Sequence, residues 1–81
     1  MARILFFGRL SDFAEAIEAP LPDGVRDTDA LTAWLSRENA RLGEALARPG
    51  VRVIVNNAFI SAPLELSDTD EIAFTSPLSG G

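Results

Sequence analysis

The stretch EIAF, residues 71–74, decides the fold, because it predicts a final strand close to the carboxyl end of the chain. Ile72 and Phe74 fall on one face of that strand, since side chains alternate along an extended backbone. The segment ARILFFG, residues 2–8, predicts a first strand with apolar side chains on both faces, as expected of a central strand or one with a partner on its outer side. The first and last strands therefore flank every other predicted element of the sequence.

One main helix is predicted between these strands. Residues 27–29 offer capping oxygens and negative charge at its amino end. Leu31, Trp34 and Leu35 follow at the i, i+3 and i+4 spacing of an apolar stripe, so this helix should pack on the sheet. Asn39 interrupts the pattern, and a second helical turn or two should follow it.

The remaining segments predict a hairpin and a short second element. The alternating, β-branched stretch VRVIV at residues 51–55 should pair with residues 58–60. Asn56 and Asn57 can supply the positive φ angles of a tight turn between the two strands. Residues 10–19 predict a short helix that runs into a strand.

This order of elements predicts an α+β fold of the ubiquitin-like β-grasp type. Its first and last strands should lie side by side in a mixed sheet, with one main helix packed across one face. We assign residues 1–75 to the β-grasp domain and residues 76–81 to an extended carboxyl-terminal tail.

Composition excludes several kinds of chemistry. The 81-residue chain has no Cys and no His, so we expect no disulfide, no thiolate catalysis and no metal site. Its formal charge of -5 should repel nucleic acid and anionic membranes. The early apolar run ILFF, residues 4–7, is too short for a signal segment or a membrane span, so we expect a cytoplasmic protein.

The last two residues, Gly80 and Gly81, are the most distinctive feature of this composition. Because the chain also lacks Lys and Tyr, the carboxylate of Gly81 is its most distinctive reactive group. Neither glycine carries a Cβ, so the pair can enter a slot too narrow for other residues, as activation of a chain terminus by a partner enzyme requires. A frayed, inert end is the simpler alternative.

Four segments together resemble the small subunits of molybdopterin synthase, a family of ubiquitin-like sulfur carriers also called molybdopterin converting factor subunit 1. The resemblance covers essentially the whole chain in length and element order. Thiamine-pathway sulfur carriers share the fold and the Gly-Gly end, but they are usually shorter and lack the Phe-x-x-Pro approach that runs here from Phe74 to Pro77. The four segments are ILFFG at residues 4–8, VNN at 55–57, LSDTDEIAF at 66–74 and PLSGG at 77–81.

The resemblance implies a sulfur-donating subunit that is not itself catalytic. An adenylyltransferase would use ATP to form an acyl-adenylate on Gly81, and exchange of the adenylate for sulfur would give a thiocarboxylate. Gly80 would let the backbone thread into the active site of a large catalytic subunit, within a heterotetramer. There the sulfur would pass to precursor Z in molybdenum cofactor biosynthesis. No cofactor should be bound to this chain.

Partner contacts are expected from the tail and from an apolar patch beside it. Phe7 lies on the opposite pleat face from Phe6, and Phe59 follows a turn, so both should line that patch. Phe74 fits either the patch or the core. Thr75 stands where the family often has a second aromatic or apolar residue, which leaves part of the patch undefined. The expected partner-binding residues are Phe7, Phe59, Phe74, Pro77, Leu78 and Ser79.

The sequence leaves three other functions open. The chain could carry sulfur for thiamine or another sulfur-dependent pathway, or it could be a ubiquitin-like modifier whose Gly81 is joined to lysines of target proteins. It could also be a plain binding module with an inert tail. Asp68, Asp70 and Glu71 are interpreted as a solvated turn rather than a metal site.

Overall fold

A single five-stranded mixed sheet with helices on one face forms the part of the chain that the computed structural model describes, residues 1–76. A 3-10 helix, Gly8–Asp12, follows the first strand directly. The other elements, in chain order, are β1 (Ala2–Phe7), β2 (Ile17–Ala19), α1 (Thr28–Glu38), α2 (Ala40–Leu46), β3 (Arg52–Val55), β4 (Ala58–Ile60) and β5 (Glu71–Thr75).

The first and last strands lie at the centre of the sheet, as the sequence predicts. The strand order is β2-β1-β5-β3-β4. Strands β1 and β5 pair in parallel, with Ile4 opposite Ile72 and Phe6 opposite Phe74. The other pairs are antiparallel, including the β3-β4 hairpin and its neighbour β5. This mixed sheet confirms the predicted β-grasp arrangement.

The core lies between the helices and the face of the sheet that we call the inner face, formed on the central strands by Ile4, Phe6, Ile72 and Phe74. The Phe6 and Phe74 rings stack with centroids 5.8 Å apart and an interplanar angle of 14°. Aromatic pairs in this offset arrangement stabilise a core beyond the area they bury. The buried helical residues that complete this core are Leu31, Leu35, Leu42, Ala45 and Leu46, joined by Leu10 of the 3-10 helix.

Asn39 divides the helical region in two, as predicted, and the structure shows how. Its backbone is extended, with φ of -147° and ψ of 99°, and its side-chain oxygen accepts a hydrogen bond from the Leu42 N–H, which caps α2. The same side chain donates to the Phe13 carbonyl at 2.9 Å. Asp27 caps α1 in the same way, by accepting from the Ala30 N–H. These caps satisfy amide groups that have no partner inside a helix.

Two turns at one end of the sheet are linked by side-chain hydrogen bonds. Asn56 and Asn57 have φ angles of 50° and 69°, which confirms the predicted hairpin turn. The Asn56 amide donates to Asp70 at 2.9 Å, and the other Asp70 oxygen accepts from the Ser67 N–H at 2.8 Å. Asp68 accepts from the Leu21 N–H at 2.7 Å. These hydrogen bonds lie at the exposed surface, so Asp68 and Asp70 hold a turn that is open to solvent.

Candidate functional site

We call the face of the sheet opposite the helices the outer face. It carries a band of apolar side chains. Register alignment places Leu5, Ala73, Ile54 and Phe59 in one row across four strands, and Phe7 one step further along β1. Leu5 and Ile54 are half-buried and flank Ala73, whose small side chain is covered by them. None of the residues in this row belongs to the core cluster under the helices. The strands are thus apolar on both faces, while the helices cover one.

Phe7 and Phe59 are the most exposed aromatic residues of this face. Phe7 is 50% exposed and Phe59 is 66% exposed, as the sequence predicts for an apolar patch. They lie on β1 and β4, which are three strand spacings apart, or about 14 Å across the sheet. The two rings therefore mark the two sides of the apolar band, and a partner that contacts both must cover the sheet between them.

Charged side chains border the band at both ends. The Arg52 guanidinium lies 5.8 Å from the centroid of the Phe59 ring, within cation-π range. At the other end, Arg3 forms an ion pair with Glu71 at 3.2 Å and approaches Glu18 at 3.8 Å. An apolar centre with a polar rim is the usual composition of a protein-protein interface.

Phe74 does not belong to this face, and its prediction as a partner-binding residue is corrected here. Its side chain is 1% exposed and points to the inner face, where it stacks on Phe6. The alternation along β5 places Ala73 and Thr75, rather than Phe74, on the outer face. Thr75 pairs with Phe7 on one side and with Arg52 on the other, so it is the half-buried centre of that row.

The chain leaves the sheet beside Phe7. Strand β5 ends at Thr75, which is the register partner of Phe7, and Ser76 is the last residue that the structure describes. The predicted contact residues Pro77, Leu78 and Ser79, and the predicted reactive residues Gly80 and Gly81, lie outside the described residues. The tail thus begins at the end of the outer face that carries Phe7 and Arg52.

The sequence interpretation missed Ile54 and Arg52 as outer-face residues. A signal for both was present, since the alternation in VRVIV places positions 52 and 54 on the face opposite Val53 and Val55. The β-branched run was interpreted only as a strand. That Ile54 should adjoin Ala73 and Phe59 depends on the strand order, which the sequence of β3 alone does not contain.

Titratable groups of the described residues hold turns rather than assemble a reactive cluster. The side-chain hydrogen bond from Asn56 and those from Ser67 lower the pKa of Asp70 below its usual value, and slight burial opposes them. Among residues 1–76, no three acidic side chains come close enough together to hold a metal ion. No helix in that part of the chain is long and apolar enough to cross a membrane.

Comparison with known proteins adds one finding. The model of a protein family described as the ThiS family matches residues 4–81, and so spans both the sheet and the Gly-Gly end. The search among curated proteins returned no match.

Proposed function

Since the chain belongs to the ThiS family of ubiquitin-like sulfur carriers, we propose that it is the sulfur-carrying small subunit of a molybdopterin synthase. Carriers of this family work with an E1-like activating enzyme. In this proposal the carboxylate of Gly81 is activated and sulfurated by that enzyme and then donates its sulfur to precursor Z. The protein supplies a substrate terminus and a docking face, while its partners supply the catalytic groups.

The observation that carries the carrier function is the family match through residue 81 on a chain whose described surface has an uncovered apolar sheet face. A carrier must be recognised by at least two partners, the enzyme that loads it and the enzyme that unloads it. The outer face offers both partners one recognition surface beside the start of the tail. In this proposal each partner binds the outer face and receives Gly81 in its own active site.

The chemistry requires nothing from the side chains of this chain. A carboxylate oxygen of Gly81 attacks the α-phosphorus of ATP, pyrophosphate leaves, and an acyl-adenylate forms. Hydrosulfide supplied by the activating system then attacks the carbonyl carbon, AMP leaves with the bonding electron pair, and a thiocarboxylate forms. The thiocarboxylate sulfur attacks an electrophilic carbon of the acceptor and displaces an oxygen substituent there. Water hydrolyses the resulting thioester, which leaves a thiol on the acceptor and returns the carboxylate of Gly81. A chain without Cys, His or Lys can take part in every step as the acyl group.

The length of the tail suits delivery into a buried site. Residues 77–81, if fully extended, span about 17 Å at the usual 3.3–3.6 Å per residue. Gly80 and Gly81 present no side chain to the walls of a narrow channel. Pro77 restricts the backbone before them and so reduces the entropy that binding must remove.

Two features support the molybdopterin pathway within this family. The length and element order resemble those of molybdopterin synthase small subunits, and the Phe-x-x-Pro approach runs from Phe74 to Pro77. A carrier for thiamine synthesis is the competing assignment, because the same family model describes both kinds of carrier.

A transfer assay distinguishes these two pathways. The thiocarboxylate is prepared chemically, by thiolysis of a thioester at Gly81, so that the result does not depend on the activating enzyme. The product is then offered either to a molybdopterin synthase large subunit with precursor Z or to a thiazole synthase with its substrates. We expect molybdopterin to form in the first mixture only.

The control is the same chain with an ordinary carboxylate at Gly81, which should form no product in either mixture. Product in the thiazole mixture alone would assign the carrier to thiamine synthesis. Product in neither mixture, with both acceptors shown to be active on their own carriers, would refute the proposed pathway.

A further inference from the structure

Ser76, the residue from which the tail starts, is fastened to the 3-10 helix that follows β1. Its side-chain oxygen accepts a hydrogen bond from the Arg9 backbone N–H at 2.8 Å. Arg9 lies in the first turn of that helix, where amide groups have no partner within the helix. The bond joins positions that are 67 residues apart in sequence. It holds the carboxyl end of β5 to the carboxyl end of β1, since Ser76 is one residue and Arg9 two residues beyond the last register pair.

The backbone at Gly8 is shaped to admit Ser76. Gly8 has a φ of +65°, and a Cβ at this position would lie 2.5 Å from the Ser76 side-chain oxygen and 3.0 Å from its carbonyl oxygen. Both the backbone conformation and the close approach therefore favour a residue without a side chain. The contact is a close-fitting one, with the hydroxyl seated against the Gly8 backbone.

The contact sets where the tail leaves the domain relative to the outer face. Thr75 is paired with Phe7, and the next residue after each strand, Ser76 and Gly8, makes the contact just described. A partner seated on Phe7 therefore meets the start of the tail at a fixed position. Fixing backbone before association reduces the entropy lost on binding, which strengthens binding without adding any contact to the partner.

We propose that the Ser76 hydroxyl, bound to the Arg9 N–H, is a positioning group that presents the tail to the activating enzyme. This inference rests on the proposed function, because it concerns how efficiently the carrier is loaded. Ser76 takes no part in the reaction at Gly81. It acts through the geometry of the residue from which the tail continues.

Steady-state kinetics of adenylation separate positioning from chemistry. ATP-pyrophosphate exchange is measured with the activating enzyme and increasing concentrations of wild type, Ser76→Ala or Ser76→Thr. In Ser76→Ala we expect KM for the carrier to rise about 3- to 10-fold, the range that corresponds to one net hydrogen bond. The kcat of Ser76→Ala should stay within about twofold of the wild-type value, because the substitution weakens binding of the carrier and removes no contact made in the transition state. Ser76→Thr keeps a hydroxyl and should restore most of the lost affinity.

Ser11→Ala is the matched control. It removes a serine hydroxyl from the 3-10 helix to which Ser76 is bound, and that hydroxyl donates to the Gly8 carbonyl at 2.8 Å rather than to Ser76. Its KM should equal that of wild type. Hydrogen exchange of the Arg9 amide checks the contact itself, since exchange should be faster in Ser76→Ala than in wild type and slow again in Ser76→Thr.

Three results would overturn the inference, and they are distinguishable from failure of the function. Equal KM values for wild type and Ser76→Ala would refute the positioning role and leave the sulfur carrier function standing. The same would follow if Ser11→Ala raised KM as much as Ser76→Ala, or if the Arg9 amide exchanged equally fast in wild type and Ser76→Ala. If wild type supported no ATP-pyrophosphate exchange with an enzyme that is active on its own carrier, both the proposed function and this inference would be overturned.

Discussion

The inner and outer faces of the sheet are built from the same strands but differ in their exposure to solvent. Phe6 and Phe7 are neighbours on β1, yet Phe6 is 7% exposed and Phe7 is 50% exposed. On β5 the inner-face residues Ile72 and Phe74 lie under the helices, while Ala73 faces outward between Leu5 and Ile54. Both faces are apolar, and within residues 1–76 only the inner one is covered. The difference shows that apolar content alone does not identify a core.

An apolar face that is left uncovered costs free energy, because its side chains stay in contact with water. Contiguous apolar surface of this kind marks interaction sites in soluble proteins. The inner face therefore stabilises the domain, and association with partners is the role we propose for the outer face. Substitutions on the two faces should separate these roles.

The largest effect is expected on the inner face, at Phe74. Phe74→Ala leaves a cavity beside Phe6 and should lower the free energy of unfolding by about 3–5 kcal/mol. Because a domain of this size has a total stability of roughly 4–12 kcal/mol, the variant should be partly unfolded at physiological temperature. Urea denaturation followed by circular dichroism measures the loss. A loss under about 1 kcal/mol would contradict the assignment of Phe74 to the core.

A smaller effect is expected on the outer face, and on a different quantity. Phe7→Ala and Phe59→Ala should each weaken binding to the activating enzyme by about 1–3 kcal/mol, as loss of an exposed aromatic anchor does. Each should change the free energy of unfolding by no more than about 1 kcal/mol, which for Phe59 includes its contact with Arg52. Isothermal titration calorimetry gives the binding free energy, and urea denaturation of the same samples gives the free energy of unfolding.

Leu64→Ala is the control for this pair of substitutions. Leu64 is also apolar and 42% exposed, but its backbone is hydrogen-bonded to Thr28 at the start of α1, away from the outer face. Its substitution should leave affinity for the enzyme unchanged. If Leu64→Ala weakened binding as much as Phe59→Ala, the claim that the enzyme binds specifically to the outer face would be refuted.

The smallest effect concerns the turn that leads into β5, the strand shared by both faces. Asp70→Asn loses one acceptor for the Asn56 or Ser67 N–H groups and should destabilise the protein by about 0.5–1 kcal/mol at neutral pH. Because hydrogen bonds from Asn56 and Ser67 hold the pKa of folded Asp70 below its usual value, the stabilisation by this carboxylate is present above the unfolded-state pKa and is lost as pH falls through the lowered pKa.

Urea denaturation of wild type and Asp70→Asn between neutral pH and about pH 2 measures this dependence. The stability difference should be constant above about pH 5 and should shrink in more acidic solution. Asp23→Asn removes the same charge from an exposed position and should show a smaller difference. A gap between wild type and Asp70→Asn that widened on acidification would contradict the direction of the pKa shift.

The sequence predicted the fold better than it predicted the site. The β-branched alternation in β3, the cap at Asp27, the helix break at Asn39 and the turn at Asn56 and Asn57 are local signals, and each was confirmed. The exposure of Phe7 and Phe59 was also correctly predicted. Local alternation determines which residues share a face of one strand, so these predictions needed no tertiary information.

Features that depend on strand order could not be predicted in this way. The burial of Phe74 follows from its position opposite Phe6 and under the helices, which β5 alone does not specify. The row that joins Ile54 to Ala73 and Leu5 requires the register of three strands. The contact of Ser76 with Gly8 and Arg9 joins residues near opposite ends of the chain, and no local sequence pattern predicts it.

The most direct test of the central claim is the intact mass of the protein after incubation with its activating enzyme, ATP and a sulfur donor. A sulfur carrier should gain the mass difference between sulfur and oxygen, and fragmentation should place that gain on Gly81. A chain that lacks Gly80 and Gly81 should show no gain under the same conditions. An unchanged mass for wild type, with an enzyme that sulfurates its own carrier in parallel, would contradict the account.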